Sequence, residues 1–253
     1  MGGMRRALCG PNRRVYGPPA FPAEDRRTLT SRRGARPMAG PMHTLLDLVF
    51  KDPVQYFTVV FVLIGSIVLH ELGHALVATW EGDPTPRIRG HLTWNPVVHM
   101  GWVSIILIAV MGIGWGQTPV TRSMFRHRRW GAVLVSFAGP AVNLLLAVVG
   151  SVVLVVAVRH GVAKESAIAT FWWVVLRFNL LLFLFNMIPV PPLDGFSVLD
   201  GALNLGEIGA RIRQAGMLAF IIAILIVNSS AFDSVWDAGT ETLLRVTAAV
   251  VRV

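Results

Sequence analysis

Residues 54–80 read VQYFTVVFVLIGSIVLHELGHALVATW. As a helix rising about 1.5 Å per residue, this stretch is long enough to cross the roughly 30 Å hydrocarbon core of a bilayer. Its only acidic or basic side chains are His70, Glu71 and His74. An Asp or Lys at the centre of a span is unfavourable by about 2.5–3.5 kcal/mol, so three ionisable groups packed into one turn and a half call for a functional reason.

Outward from this span the composition has the same character. The 253 residues are 54% hydrophobic and 15% charged, with a mean hydropathy of +0.60, which argues against an ordinary soluble enzyme. The formal net charge is +9, yet the basic residues lie in the N-terminal tail and between apolar runs instead of forming a stripe with aromatics. That distribution suits loops flanking membrane spans and gives no basis for a nucleic-acid partner. Cys9 is the single cysteine, so no intramolecular disulfide exists. Further apolar runs cover about 97–115, 130–158, 171–190 and 215–231, and 239–253 is shorter and amphipathic, as an interfacial helix would be. The expected fold is all-α and multi-pass, with about four to six transmembrane helices and a re-entrant or surface hairpin after the 54–80 helix. The expected organisation is a basic tail at 1–41, a membrane core at 42–231 and a C-terminal amphipathic segment at 232–253. The tail holds nine arginines and two acids without apolar periodicity, a composition that cannot offset the entropy of folding. Met38 and Met42 are alternative starts.

The spacing HELGH places His70 and His74 one helical turn apart on the same face, where both imidazoles can hold one metal ion. Glu71 lies about 100° around the helix, beside the metal without being a ligand, as a general base requires. Two histidines with an open water position suit a catalytic zinc, one ion per chain, and a third protein ligand is then needed from another apolar segment. The run LLLFLFNMIPVPPLDGFSVLDG supplies candidates. Pro189, Pro191 and Pro192 end the helix, and irregular backbone at membrane depth is tolerated where it lines a cavity. Asp194 follows directly and is the preferred third ligand; it could instead cap the next helix, and Asp200, six residues on and expected to be solvated, competes with it. Taken singly, a histidine in an apolar helix is more often a packing residue than a ligand.

HELGH in a transmembrane helix together with NMIPVPPLDG resembles the site-2 protease family of intramembrane zinc metalloproteases, over about residues 54–215. GDPTPRIRGHLTWNP at 82–96, WGQTPV at 115–120 and SFAGPAVNLLLA at 136–147 resemble the compact bacterial members, which lack appended PDZ or CBS domains. At HMGWVS the chain departs from that group, which usually has an aspartate at the position of Met100. The resemblance implies that His70, His74 and Asp194 bind zinc and that Glu71 is the base. It further implies regulated intramembrane proteolysis in a bacterial plasma membrane, with membrane-spanning protein substrates such as anti-sigma factors.

Other polar residues have plainer readings beside sharper ones. Asn143 and Asn186 could contact substrate or polarise the scissile carbonyl, or could simply hydrogen-bond between helices. His91 and His99 fall in a polar connector and are expected to be surface histidines. Arg177 is expected to snorkel to the interface. Parallel metal-bearing helices require an odd number of crossings between them, whereas hydropathy gives two. The segment 97–115, with Gly101, Ser104, Gly112 and Gly114, is therefore expected not to cross. The positive-inside rule puts Arg122, Arg126, Arg128 and Arg129 in the cytoplasm with Arg211 and Arg213. The N-terminal tail then falls outside. Translation from near Met42, an entry side not fixed by 42–53, or a crossing by 97–115 would each relieve that conflict.

The function expected is zinc-dependent hydrolysis of peptide bonds in or near a substrate's transmembrane segment. A non-catalytic zinc-binding scaffold and a proton-coupled transporter using Glu71 and Asp194 are the rivals. Against the transporter, the chain has no repeated halves.

Overall fold

The computed structural model describes residues 45–214 and 216–251. The basic tail at 1–41, with Cys9 and the alternative starts Met38 and Met42, lies outside the described residues. Among the described residues the chain is helical throughout: α1 (Leu45–Lys51), α2 (Pro53–Trp80), α3 (Thr85–Ile88), α4 (Pro96–Met111), a 3-10 turn at Arg122–Met124, α5 (Arg128–Arg159), α6 (Ala167–Asn186), α7 (Asp194–Leu203), α8 (Glu207–Gln214), α9 (Gly216–Val227) and α10 (Ser230–Val250). The long helices begin at recognisable signals. Asp52 accepts from Gln55 N at 3.0 Å ahead of Pro53, and Ser166 accepts from Ala169 N at 3.2 Å to start α6.

The helices α2, α5 and α6 are each long and apolar enough to cross a membrane, and Ile221–Val227 with Ser230–Val250 forms a fourth candidate bent by 60°. The expectation of a multi-pass α-helical protein is met, at the lower end of the expected number of spans. Contacts between α2 and α5 run in opposite sequence order, His70 meeting Asn143 and His74 meeting Val135, so the two are antiparallel. Asn143 meets Asn179 and Gly150 lies against Leu176, so α5 and α6 are antiparallel as well. With one crossing between them, α2 and α6 run parallel.

That arrangement requires the segment after α2 to return to the side it left, and it does. The 16-residue α4 is broken at Gly101 (φ 68°) and is short for a span. It starts level with the C-terminal half of α2 and descends until Ala109 O accepts from Tyr56 Oη at 2.9 Å, near the start of α2. The chain turns at Gly112 (φ 73°) and climbs back as an extended segment. Trp115 meets Ser104, with Ser104 Oγ 2.8 Å from Trp115 N and 2.7 Å from Trp115 O. Gln117 N donates to His99 O at 2.9 Å, and Thr121 N donates to Asp83 Oδ2 at 2.6 Å, just past the end of α2. The run 97–115 is thus the descending limb and turn of a re-entrant helix-and-strand hairpin.

One apolar core joins Val59, Val62, Leu63 and Ile67 of α2 to Ile108 of α4 and Val174 of α6. A second joins Ala147, Leu154 and Val155 of α5 to Leu176 and Leu180 of α6 and Leu244 of α10. The amphipathic stretch from 239 belongs to α10, which packs one face on α5, with Ser151 Oγ and Thr247 Oγ1 at 2.7 Å. Arg177 is held by α10. Its Nη1 donates to Asp237 Oδ1 at 2.5 Å, its guanidinium lies 3.7 Å from the centre of the Trp236 ring, and Trp236 Nε1 donates to Arg177 O at 2.9 Å. A partner on α10, invisible from α6 alone, captures the charge.

Candidate metal centre

The C-terminal half of α2 carries His70, Glu71 and His74, all three buried. The helix places both imidazoles on the face turned to α5, which approaches closely because residue 139 is glycine: a Cβ there would lie 2.3 Å from His74 Nε2 and 2.5 Å from His70 Nε2. Asp194 arrives from the other direction as the first residue of α7, whose N-cap is Leu193 with no side-chain cap bond. Its carboxylate points to the histidines instead of capping the helix. Asp194 Oδ2 is 3.0 Å from His70 Nε2 and 3.3 Å from His74 Nε2, and the two Nε2 atoms are 3.0 Å apart.

Three ligand atoms about 2.0–2.1 Å from a tetrahedral ion stand about 3.3 Å from one another, so this triangle has nearly the dimensions of one tetrahedral face. The hydrogen bonds argue in the same direction. His70 Nδ1 faces Asn143 Oδ1 at 2.6 Å and His74 Nδ1 faces Val135 O at 2.6 Å; both partners are acceptors, so each Nδ1 carries a proton, and in the neutral imidazole each Nε2 presents a lone pair. Two such lone pairs and a carboxylate oxygen converging within 3.3 Å repel one another unless a proton or a metal cation lies among them. The donor set of two imidazoles and one carboxylate fits zinc.

The Glu71 carboxylate contacts the re-entrant segment. The Thr118 hydroxyl is 2.8 Å from Glu71 Oε2 and 3.0 Å from Glu71 O, and the backbone at Gly116 comes so near that a Cβ would stand 2.5–2.8 Å from the carboxylate group. The carboxylate is held between its own helix and the segment that follows Gly112.

Comparison with known proteins accounts for this arrangement. The profile described as "Peptidase family M50" matches residues 58–165 and 149–228, which include every residue just described. This chain belongs to peptidase family M50. It is 38% identical over 200 residues to "Putative zinc metalloprotease YwhC" of Bacillus subtilis, covering 76% of this chain and 91% of that relative. It is also 30% identical to "Putative zinc metalloprotease Rip2" of Mycolicibacterium smegmatis, over 72% of each chain, and 36% identical to the Rip2 of Mycobacterium tuberculosis H37Rv, over 69% of this chain and 70% of that one. No solved structure matches the chain. The M50 membership is of the compact bacterial, site-2 protease type, and it makes the chain a membrane protein of a zinc metalloprotease family.

Within this M50 fold the remaining sequence candidates take other places. Asn143 is fully buried behind His70, its Nδ2 donating to Asn179 Oδ1 at 3.0 Å, so both ends of its amide are engaged by protein. Asn186 Nδ2 donates back to Leu182 O on its own helix at 3.0 Å. Asp200 is neither solvated nor at the metal triangle: it pairs with Arg213, and Arg122 Nη1 lies 3.9 Å away. His99 is fully buried and its Nε2 donates to Thr93 O at 2.8 Å, contrary to the expected surface position. His91 stacks edge-on against it with ring centres 5.5 Å apart, and burial followed by the His99 charge holds the His91 imidazole below its ordinary pKa. Sequence reasoning missed Gly116, Thr118 and Asn179. The first two stand in WGQTPV, a segment noted only for resemblance; Asn179 carried no signal beyond being an amide in an apolar helix.

Proposed function

We propose that the chain is a zinc-dependent intramembrane endopeptidase, which cleaves peptide bonds in or near transmembrane segments of other membrane proteins. The observation that carries this reading is a three-atom metal triangle, two of its atoms from α2 and one from α7, together with a carboxylate on α2 that Thr118 engages. His70, His74 and Asp194 hold the ion. Zinc, when bound, supplies the Lewis acid that polarises a carbonyl and makes hydroxide available near neutral pH. Glu71 takes a proton from the attacking water as the new C–O bond forms, and returns it to the amide nitrogen as the C–N bond breaks, leaving a carboxylic acid and an amine. The Thr118 hydroxyl steadies the Glu71 carboxylate through both transfers.

A substrate helix hides its carbonyls, so the cleaved segment must be extended. The strand beside Glu71 offers a template for it. Trp115 and Gln117 direct backbone groups toward α4, and by the two-residue alternation of extended chain, Gly116 and Thr118 direct theirs to the opposite edge. A single-span bacterial membrane protein, such as an anti-sigma factor, is the substrate class proposed. The setting is the bacterial plasma membrane, and the role is regulated intramembrane proteolysis.

The test is cleavage of a single-span substrate in proteoliposomes by the wild type and Glu71→Gln, with zinc content measured on the same samples. The protease reading expects zinc in both proteins and cleavage by the wild type alone. Zinc retained with equal cleavage by both, or wild-type protein that folds without zinc, overturns it. A scaffold would show zinc in both and cleavage by neither.

A further inference from the structure

The two histidines are oriented by different means. His74 donates directly to a backbone carbonyl, that of Val135. His70 donates to the side chain of Asn143, which is an ambiguous partner: an amide presents an oxygen at one end and an NH2 at the other, in nearly the same shape. Facing the wrong way, Asn143 would donate to Nδ1 and force the proton onto Nε2, where the ion has to bind.

What removes the ambiguity lies one helix further back. Asn179 on α6 is buried, and its Nδ2 is 2.9 Å from Val175 O, a group that can only accept. Its Oδ1 is thereby turned to α5 and accepts from Asn143 Nδ2 at 3.0 Å. Asn143 must then turn its own oxygen to His70. Reversing either amide sets two donors or two acceptors face to face in a buried site, an arrangement that buried polar groups avoid. The chain Val175 O, Asn179, Asn143, His70 therefore has one consistent direction, and it ends with a bare Nε2 aimed at Asp194 and His74.

The geometry points to Asn179 as a positioning residue that selects the metal-binding tautomer of His70 through Asn143, without touching the metal ligands itself. This inference rests on the zinc reading of the triangle and adds what controls its affinity. Partners that orient metal-bound histidines typically change metal affinity by about 10–100-fold when removed.

The test is zinc affinity by competition with a chromophoric chelator, on detergent-purified full-length variants whose folding is checked by gel filtration. Asn143→Leu is expected to weaken zinc binding by about 10–100-fold. Asn143→Asp keeps an acceptor for Nδ1 but sets its second oxygen against Asn179 Oδ1 with no proton between them, so it should weaken zinc binding less than Asn143→Leu does. Asn179→Leu should weaken zinc binding about tenfold, the lower end of that range. In N143D/N179L the second substitution should cause no further loss, since it removes the facing oxygen and a carboxylate needs no orienting; a packing role for Asn179 would instead give the same loss in both backgrounds. Asn179→Ala repeats the comparison if the leucine variant does not fold. Wild-type affinity in both Asn179 variants, or an undiminished loss in the N143D background, overturns the relay and leaves the zinc reading standing. Folded wild type that binds no zinc overturns both.

Discussion

Asp194 Oδ2 lies 3.0 Å from His70 Nε2, although 124 positions separate the two residues along the chain. Two features bring them together. A single crossing by α5 lets α2 and α6 run parallel, and the proline-rich turn after α6 then delivers α7 with its first side chain facing α2. The aspartate closes the triangle of candidate ligand atoms.

Asp194→Ala should reduce zinc from about one ion per chain to a small fraction, because two imidazoles alone leave a tetrahedral site half-made. Elemental analysis after chelator-free purification measures this. Full zinc content in the variant would show that the third ligand lies elsewhere.

Gly139→Ala should abolish zinc binding and destabilise the fold by about 1–3 kcal/mol, since the added methyl has no room beside the two Nε2 atoms. Gly65→Ala, at a position on the same α2 helix with nothing within 4 Å of the new methyl, should leave zinc unchanged. Zinc content and thermal unfolding of the pair separate a site effect from a general effect of losing a glycine.

Thr118→Val keeps the shape of the side chain and removes the hydroxyl that steadies Glu71. Zinc content should stay the same while kcat falls about tenfold, the equivalent of roughly 1.4 kcal/mol for one hydrogen bond. An unchanged kcat would mean that Glu71 is held by its helix alone.

Trp236→Ala should lower the unfolding temperature in detergent, by the equivalent of about 2 kcal/mol for a half-buried aromatic. The ring supports the Arg177 guanidinium and ties α10 to α6. Zinc content should not change, because α10 contributes no ligand. Loss of zinc with the loss of stability would place α10 among the supports of the metal site.

Much of the site was legible because helical periodicity is local. The offset between His70 and His74 fixes their shared face before any tertiary contact forms, and Pro191 and Pro192 ahead of Asp194 announce a break in the helix. The re-entrant hairpin was legible for a different reason: parity of crossings is a global constraint that hydropathy alone violated. Gly116 was not legible. It matters for what approaches it, and the approaching atoms, those of Glu71, lie on α2. The partner of Arg177 was not legible for the same reason, Asp237 being 60 positions away.

The sequence by itself determined the membrane class, the helical histidine pair with its adjacent glutamate, and the aspartates that were candidates to join them, because these follow from composition and from spacing within single elements. Only the tertiary structure decided that Asp194 and not Asp200 completes the triangle, that Asn143 stands behind His70, and that Glu71 is braced by a strand from the hairpin. Those outcomes depend on the direction of side chains across helix interfaces. Such directions are set by packing and by matching donors to acceptors in a water-free interior, which no one-dimensional pattern encodes.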